Sequence, residues 1–524
     1  MSSRVSTLLA WCAREGILID DRLHIMDAPS GISVYSKQGD IYPDETVVTI
    51  PRTSVLSLRN CTFRDHTAQS AYEDWDYNHL KLAFALYSES LLGRQSRWFG
   101  YIQALPEAAP DLPLFWRQET AESFDEDGES ASRWLQGTEV DRLRERKKAG
   151  ALPMEVIRRF YDDVMAPFSV QPCSSVSTPS AAPISPKEVT FDGFLRAYAL
   201  VCSRAFVTDL YHGLCMVPIA DAFDHHIQNH VQLAVEEAVC PQCGAFDACP
   251  HDSDISDDLS DQTYPDQTPD AEDPTFDMVT TTYVPPETEV FNTYGEGLTN
   301  AQLLLSYGFI LKQNDNDHLS WDPAEPDLLG PDAEGVLDLY RSALERLPAG
   351  FLAPLLQSEL VEQNTNLTPF SITGEGMLNG SLWLLLAVQS LMTEHRSSAF
   401  GEPTTESIVF RLPAIIATQL YMEAGDEDRA HMGVDESKLD EAAIKLPRLV
   451  RALCRRRRER YFGAGTKAAH EVVAAFDSIP EAWTRTRTAM ILLIGERALL
   501  DTCDGLWADL ATAFDDTASG WTVP

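Results

Sequence analysis

The chain has 524 residues, enough for two or three domains with sizeable cores, and its 44% hydrophobic and 23% charged residues are ordinary for a globular protein. Its 80 acidic against 41 basic residues give a formal net charge of -39, which disfavours nucleic acid and membranes as partners and favours a basic protein, although solubility alone explains it equally well. Apart from one cluster at 240–249, the ten cysteines lack disulfide spacing, and the most apolar run, 382–388, is too short to cross a bilayer, so we expect a protein of the cytoplasm or nucleus. We also expect a monomer.

The N-terminal half mixes strand and helix patterns. Residues 3–16 have helical periodicity, and the β-branched runs 31–35 and 46–50, bounded by Gly, Pro and Asp, predict strands. Over 79–171 the apolar spacing predicts mostly helix. The Ser- and Pro-rich stretch 172–187 predicts a flexible loop.

The C-terminal half is dominated by helical patterns. Helix resumes at 190–200, and the acidic stretch 252–275, which has few apolar residues, predicts disorder. Further helices are predicted over 333–347, 351–362, 380–394, 407–423, 436–462, 465–477 and 484–514. We expect Pro447 to break or kink the fifth of these, and the arginine run 455–458 to lie on a solvated helix face or to pair with nearby carboxylates.

Three motifs carry residues suited to chemistry. They are Val201-Cys-Ser-Arg-Ala-Phe206, Met216-Val-Pro-Ile-Ala-Asp-Ala-Phe-Asp-His225, and Glu289-Val-Phe-Asn-Thr-Tyr-Gly295 followed by Leu298-Thr-Asn-Ala-Gln-Leu-Leu-Leu-Ser-Tyr-Gly-Phe-Ile310. In the last of them, two tyrosines flank a short apolar helical pattern, and each precedes a glycine that allows a sharp turn. Together the motifs resemble the SET domain of the protein lysine methyltransferases of the Rubisco large-subunit and fungal ribosomal-protein type.

The resemblance implies an α+β fold, in which a strand-rich SET domain with a pseudo-knot is split by a helical insertion and followed by an all-α C-terminal domain. The expected parts are an N-terminal SET part at 1–78, the helical insertion at 79–200, a C-terminal SET part at 201–312 with a Cys/His insertion and an acidic loop, and a substrate-binding helical domain at 313–524. Asn292 is expected to tie the threaded segment of the pseudo-knot.

The resemblance also implies S-adenosylmethionine as the cofactor. The residues that match the family's cofactor site are Gly31, Ile32, Ser33, Arg204, Asp224, His225, Tyr294 and Phe309. Arg204 would pair with the methionine carboxylate, because a guanidinium fork suits a planar carboxylate. Ser33 replaces a glycine of the family and Asp224 an asparagine. A carboxylate accepts hydrogen bonds but does not donate them, so the site either tolerates Asp224 or binds the cofactor less tightly.

Tyr294 and Tyr307 are the predicted catalytic residues. A lysine amine with a pKa of about 10.4 is charged at neutral pH, so it has to lose a proton and be aligned before it accepts a methyl group. Tyrosine hydroxyls and backbone carbonyls supply such alignment. The resemblance further implies Phe206, Asp221 and Tyr307 as substrate contacts, with Phe206 lining a lysine channel.

A separate cluster, Cys240-Pro-Gln-Cys-Gly-Ala-Phe-Asp-Ala-Cys-Pro-His251, offers metal ligands at Cys240, Cys243, Cys249 and His251. Cys-x-x-Cys followed by glycine forms a knuckle that presents two thiolates to one ion. We expect one structural zinc, because four protein ligands leave no open coordination position. Reduced thiols on a loop are the alternative.

The sequence therefore predicts an S-adenosylmethionine-dependent protein-lysine N-methyltransferase whose substrate is a basic ribosomal or translation-associated protein. Two alternatives stay open. One is a catalytically weak SET module that acts as an interaction protein, and the other is a histidine-directed protein methyltransferase.

Overall fold

The computed structural model describes residues 3–28, 31–64, 77–116, 125–145, 152–168, 189–235, 239–246, 249–251, 275–323, 325–329, 333–347, 370–397, 404–423, 439–463 and 467–519. The loop predicted at 172–187 and the helix predicted at 351–362 lie outside these residues. So does the stretch 252–275 predicted to be disordered, apart from Thr275, which begins a strand.

The strands of the described residues are short and lie mostly in the N-terminal half. They are β1 Leu18–Ile19, β2 Leu23–Ala28, β3 Gly31–Ser36, β4 Thr46–Pro51, β5 Ala205–Val207, β6 Leu214–Met216, β7 Val231–Ala234, β8 Thr275–Thr280, β9 Leu319–Trp321 and β10 Phe370–Ile372. The strands predicted at 31–35 and 46–50 are confirmed as β3 and β4.

Helices follow the predicted periodicities closely. They are α1 Ser3–Arg14, α2 Asn78–Leu92, α3 Phe99–Ile102, α4 Glu126–Trp134, α5 Glu139–Glu145, α6 Met154–Phe160, α7 Phe191–Arg204, α8 Asn300–Tyr307, α9 Pro326–Leu329, α10 Ala333–Arg346, α11 Gly380–Ser397, α12 Thr405–Glu423, α13 Glu441–Arg460, α14 Ala469–Asp477 and α15 Thr484–Ser519. Within the described ranges, none of them combines the length and apolarity needed to cross a bilayer.

The chain divides into two compact units. The first holds Met1–Leu114, Arg146–Leu298 and Leu305–Gly308, and the second holds Phe115–Glu145, Thr299–Leu304 and Phe309–Pro524. The domain boundaries expected after residues 78, 200 and 312 stay predictions. The division into units cuts the chain elsewhere, because it assigns 115–145, inside the expected helical insertion, to the second unit.

The first unit contains a four-stranded antiparallel sheet in the order β1-β4-β8-β7. Its central strands place Val48 opposite Met278 and Ile50 opposite Phe276. All four side chains are buried, so the alternating face of each strand supplies the core. Two antiparallel hairpins, β2–β3 and β5–β6, complete the strands of this unit.

Helix α7 leads directly into the candidate site, because Arg204 is its last residue. Thr190 caps the helix by accepting a hydrogen bond from the backbone N–H of Gly193 at 3.2 Å. Gly193 allows a close approach to α2, since a Cβ atom there would lie 2.4 Å from the Tyr87 hydroxyl. The next residue, Phe194, is fully buried. Packing near the first turn of α7 therefore fixes the position of the helix and, with it, that of Arg204 at its end.

The second unit packs its helices around one apolar core. The prediction that the C-terminal domain is all-α is wrong in one respect, because β9 and β10 pair antiparallel with Phe370 opposite Trp321 and Ile372 opposite Leu319. Both strands have three residues. That length is too short for an alternating pattern to stand out in a sequence.

Helix α13 bears on two predictions. The break predicted as one possibility at Pro447 does not occur, because tertiary packing around this buried residue outweighs the lost backbone hydrogen bond, whereas a kink there stays a prediction. The solvated-face prediction for the arginine run is wrong for Arg457, which is fully buried. The alternative, that the run pairs with carboxylates, is confirmed at Arg457 and at Arg458, which lies 3.1 Å from Asp501.

A buried network of charges surrounds Arg457. Its Nη2 donates to Glu139 Oε1 at 2.7 Å, and Arg142 donates to the other carboxylate oxygen of Glu139 at 2.9 Å. Glu496 accepts from the backbone N–H of Glu139 at 2.8 Å and from the Tyr461 hydroxyl at 3.1 Å. Burial, together with the charge of Glu139, raises the pKa of Glu496 to about 8, although Arg457 opposes this.

We predict that Glu496→Gln removes a pH dependence of stability. The unfolded chain holds the Glu496 proton only below about pH 4.5, whereas the folded protein holds it up to about pH 8, so wild-type stability falls as pH rises between these values. The slope lost in the variant is up to about 1.4 kcal/mol per pH unit.

Urea unfolding at several pH values measures this slope. The control Glu459→Gln, on the exposed side of α13, should keep the wild-type slope. Parallel profiles for wild type and Glu496→Gln would contradict the prediction.

Candidate active site

Arg204 and Asp221 lie beside each other in the candidate site. Arg204 Nη1 donates to the backbone carbonyl of Asp221 at 2.6 Å and lies 3.7 Å from its carboxylate. The Tyr101 hydroxyl donates to the same carboxylate at 2.8 Å. Burial raises the pKa of Asp221, although Arg204 opposes this. The substrate contact expected of Asp221 stays a prediction, and in the structure its buried carboxylate faces Arg204 and Tyr101.

The turn that carries Asp221 has a strained backbone. Ile219, a buried β-branched residue, has φ of +71°, in the left-handed region that such residues avoid. A short helical turn at Ala220–Ala222 follows and carries Asp221. Strained backbone persists where the surrounding structure over-determines it, and it is concentrated at functional sites.

Gly31 packs against the guanidinium of Arg204. Its φ is +137°, and a Cβ atom there would lie 3.3 Å from Arg204 Nη2 and from Pro106 Cγ. A side chain at this position would therefore be strained and would crowd the arginine. Ile32 and Ser33, which follow in β3, are both buried. The glycine thus leaves room for a ligand to reach backbone and arginine together.

Asp224 and Glu289 bring two carboxyl groups together beside β3. The Ser33 hydroxyl donates to Asp224 Oδ2 at 3.2 Å, and the Tyr35 hydroxyl donates to Glu289 Oε2 at 3.3 Å. Burial and the neighbouring charge of Asp224 raise the pKa of Glu289. This part of the site therefore concentrates negative charge and favours a cationic ligand group.

The segment that carries Asn292 runs beside the Asp224-His225 turn. Asn292 donates its backbone N–H to the carbonyl of Asp224 at 2.9 Å and accepts from the backbone N–H of His226 at 3.0 Å, in a parallel bridge. Two residues earlier, Val290 donates to the carbonyl of Val34 in β3 at 2.8 Å. The segment is thus hydrogen-bonded both to the turn at 224–226 and to β3. The pseudo-knot itself stays a prediction.

Tyr294 and Tyr307 lie together as a pair. Their ring centroids are 4.6 Å apart at an angle of 30°, and the Tyr307 hydroxyl donates to the backbone carbonyl of Tyr294 at 3.3 Å. Burial raises the pKa of Tyr307 to about 12 and also raises that of Tyr294. Both phenols are therefore protonated at neutral pH and present O–H groups rather than phenolates.

His225 holds the backbone at Tyr294 in place. Its Nδ1 accepts from the backbone N–H of Tyr294 at 3.1 Å, so the ring is neutral with its proton on Nε2. Burial, with the charge of His226, lowers the pKa of His225, which agrees with that state. Of the two glycines expected to turn sharply, Gly308 has φ of +81°, whereas Gly295 does not adopt a left-handed conformation.

Two other predicted residues, Phe206 and Phe309, belong to different units. Phe206 is half-buried in β5, opposite Cys215 of β6. Phe309 belongs to the second unit, and its predicted contact with a cofactor stays a prediction.

The four predicted metal ligands come together. One donor atom from each of Cys240, Cys243, Cys249 and His251 lies within 4.8 Å of the others. Backbone N–H groups of Cys243 and Gln242 lower the pKa of Cys240 to about 6. The cluster belongs to the first unit, in the connection between β7 and β8.

Sequence reasoning gave no role to Tyr101 or Glu289, two residues that complete the polar site. Tyr101 lies in a one-turn helix whose pattern suggests an ordinary core aromatic. Glu289 begins one of the motifs, but a single acidic residue before Val290 carries no signal of its own. Only the fold brings them to Asp221 and Asp224.

Known structures share this fold. The SET domain of LSMT bound to lysine and AdoHcy superposes with a TM-score of 0.57 and 17% identity, covering 98% of this chain and 93% of that one. Rubisco LSMT bound to AdoMet superposes with a TM-score of 0.56 and 16% identity, covering 98% and 94%. The fold is therefore that of the SET-domain methyltransferases of the Rubisco LSMT type.

Sequence comparisons point to the same group. The chain is 24% identical over 388 residues to "Ribosomal lysine N-methyltransferase 3" of Saccharomyces cerevisiae, covering 64% of this chain and 65% of that protein. It is 25% identical over 325 residues to "N-lysine methyltransferase setd6" of Xenopus laevis, covering 58% and 57%. The chain thus spans about six-tenths of the length of the curated relatives it matches. No protein-family model matches it. The resemblance to SET-domain lysine methyltransferases is confirmed.

We predict that Asp224→Asn stabilises the protein near neutral pH. The raised pKa of Glu289 means that its ionised form, beside ionised Asp224, costs stability as pH rises above about 4.5. Asparagine removes that repulsion and still accepts from Ser33, so the free energy of unfolding should rise by up to about 1 kcal/mol at pH 7. Below pH 4 the gain should vanish.

Denaturant unfolding at both pH values measures this effect. Glu289→Gln removes the other half of the pair and is the reciprocal variant. The double variant should gain less than the sum of the two single variants, because they remove the same repulsion. Equal gains at acidic and neutral pH would contradict the proposed charge pair.

Proposed function

We propose that the protein is an S-adenosylmethionine-dependent protein-lysine N-methyltransferase. The observation that carries this proposal is the buried, protonated pair of Tyr294 and Tyr307, which lies in the same unit as Arg204 and the Gly31 turn. The fold shared with Rubisco LSMT and the names of the sequence relatives support it.

The residues present suit the cofactor. Gly31 leaves beside Arg204 a space that any other side chain would fill, and Arg204 offers a guanidinium to a carboxylate. The carboxyls of Asp224 and Glu289 suit an ammonium group. Backbone groups of 31–33, together with His225 and Tyr294, are the remaining proposed contacts within the first unit. When bound, the cofactor supplies an electrophilic methyl group.

The chain's own part in the reaction is positioning. Because both phenols keep their protons at neutral pH, we assign neither tyrosine as the base that deprotonates the lysine. The lysine ammonium first releases a proton to water, and the tyrosine hydroxyls and the Tyr294 carbonyl then orient the resulting neutral amine for its attack on the methyl group. Phe206, on the β5 strand, is the proposed wall of the lysine channel.

The proposed substrate is a basic protein associated with ribosomes or translation. The net charge of -39 favours a basic partner, and one relative is named a ribosomal lysine methyltransferase. Cytoplasm or nucleus, a monomeric state and the absence of nucleic-acid or membrane partners belong to the same proposal. Asp224 in place of an asparagine and Ser33 in place of a glycine favour one rival, an interaction protein with weak cofactor binding.

Labelled S-adenosylmethionine, incubated with the protein and a ribosome-rich extract, tests the proposal. Label on the lysine of a basic protein is expected. Tyr294→Phe should reduce labelling about 100-fold or more while cofactor binding persists, because it removes only the orienting hydroxyl. The matched control is Tyr283→Phe, a change in an exposed tyrosine of the same unit, which should retain full activity.

Other outcomes separate the rivals. Label on histidine would replace lysine as the acceptor. Absence of label together with absence of cofactor binding would favour the interaction protein. Full activity of Tyr294→Phe would remove its hydroxyl from the mechanism.

We predict that Gly31→Ala weakens cofactor binding about tenfold or more. The added methyl group would sit 3.3 Å from Arg204 Nη2, and it would also strain a backbone with φ of +137°. Tenfold corresponds to about 1.4 kcal/mol of lost binding energy. Titration calorimetry with S-adenosylmethionine measures it.

Gly39→Ala separates crowding from backbone strain. Gly39 has nearly the same φ, +139°, but a Cβ atom there would meet only the Arg22 side chain at 3.9 Å. This variant should lose stability as Gly31→Ala does, yet bind the cofactor within about twofold of wild type. Equal losses of affinity in both variants would contradict a specific role for the Gly31 turn.

A further inference from the structure

The Cys/His cluster has the dimensions of a single metal site. Sγ atoms of Cys240 and Cys249 lie 3.7 and 3.6 Å from His251 Nδ1, and Cys243 completes a group within 4.8 Å. Around a tetrahedral zinc with Zn–S of about 2.3 Å and Zn–N of about 2.0–2.1 Å, a sulfur and a nitrogen ligand are about 3.6 Å apart. The distances are therefore those of ligands to one ion.

We propose that Cys240, Cys243, Cys249 and His251 bind one structural zinc ion. The backbone already has the form of a zinc knuckle, because Cys240 donates its N–H to the carbonyl of Ala245 and accepts from the N–H of Gly244, both at 2.8 Å. Gly244 has φ of +77°, which favours glycine at the turn. Four protein ligands close the coordination sphere, so the ion holds structure and does not activate water.

The knuckle is docked onto the core of the first unit. Arg52, one residue beyond β4, donates to the Gly244 carbonyl at 2.8 Å and forms an ion pair with Asp209, whose side chain is fully buried. The Arg52 guanidinium also lies 4.8 Å from the ring centroid of Phe246. The site therefore belongs to an ordered surface and not to a free loop.

The docked knuckle links two parts of the sheet region. Asp209 lies between β5 and β6, where it also accepts from the backbone N–H of His212 at 2.6 Å. A second arginine, Arg59, donates to the carbonyl of Pro241 in the knuckle at 3.2 Å. A metal that fixes the knuckle thus fixes the partners of Arg52 and Arg59, and with them the turn that ends β5. This inference is independent of the proposed methyltransferase activity.

Metal analysis of the full chain, purified under reducing conditions without added metal, is the first test. About one zinc per chain is expected. Replacement by Co²⁺ should give the intense visible absorption of tetrahedral cobalt bound to thiolates. Less than about 0.1 metal per chain in a folded protein, or a Cys240–Cys243 disulfide found by mass spectrometry, would overturn the proposal.

Variants of the ligands sharpen the test. Cys243→Ser, which changes an exposed ligand, and His251→Ala should each lower zinc content to about a tenth or less after brief dialysis against a weak chelator. His251→Cys should restore about one zinc, because a thiolate replaces the imidazole. Gln242→Ser, a change in an exposed neighbour between two ligands, should leave zinc content unchanged. Equal zinc content in all variants would show that the metal lies elsewhere.

Hydrogen exchange reports the structural role. Removing zinc from the wild-type protein should speed amide exchange in 205–216 and 239–246 at least tenfold, while exchange in β2–β3 stays unchanged. Unchanged exchange in the β5–β6 hairpin would overturn the proposed link through Arg52 and Asp209.

Discussion

The pairing of Arg204 with Asp221 is the constraint on which the rest of the site depends. Arg204 ends a helix whose apolar face is buried in the core, and Asp221 lies two residues after the strained Ile219, so neither group is free to move away. Tyr101 holds the same carboxylate and Gly31 packs against the same guanidinium, which ties four separate segments to one ion pair. Removing one partner of a buried pair typically costs about 3–5 kcal/mol, so the segments are coupled.

A second constraint is the excess of negative charge. The chain carries a net charge of -39, and in the site the same bias appears as Asp224 beside Glu289. Two neighbouring carboxyls are unfavourable in the free protein but suit a bound cation, which relieves their repulsion. The site thus gives up some stability without a ligand in return for stronger attraction to a positively charged group. Arg204, whose charge, like that of Asp224, acts on Tyr294, offers the opposite charge for the opposite end of a zwitterionic ligand.

How far sequence reasoning reached depends on how local each signal was. Arg204, Asp224 and Tyr294 were predicted because they stand in short motifs that resemble a family, and the structure places all three in the first unit. The strands β9 and β10 were missed, because three residues give no usable periodicity. Burial of Arg457 was missed, because its partners Glu139 and Glu496 lie far away in the chain. Tyr101 and Glu289 were missed for the same reason, since their meaning comes only from contacts that tertiary folding creates.

The Cys/His knuckle is best understood from the connection in which it lies. Strands β7 and β8 are antiparallel neighbours, yet residues 235–274 separate them along the chain. Closing a chain segment of this length costs on the order of 3 kcal/mol of chain entropy. A zinc ion bound by the four proposed ligands would offset part of that cost by fixing the knuckle, which Arg52 anchors to the end of β4. On this proposal, the ion stabilises a long connection between two strands that stay in register.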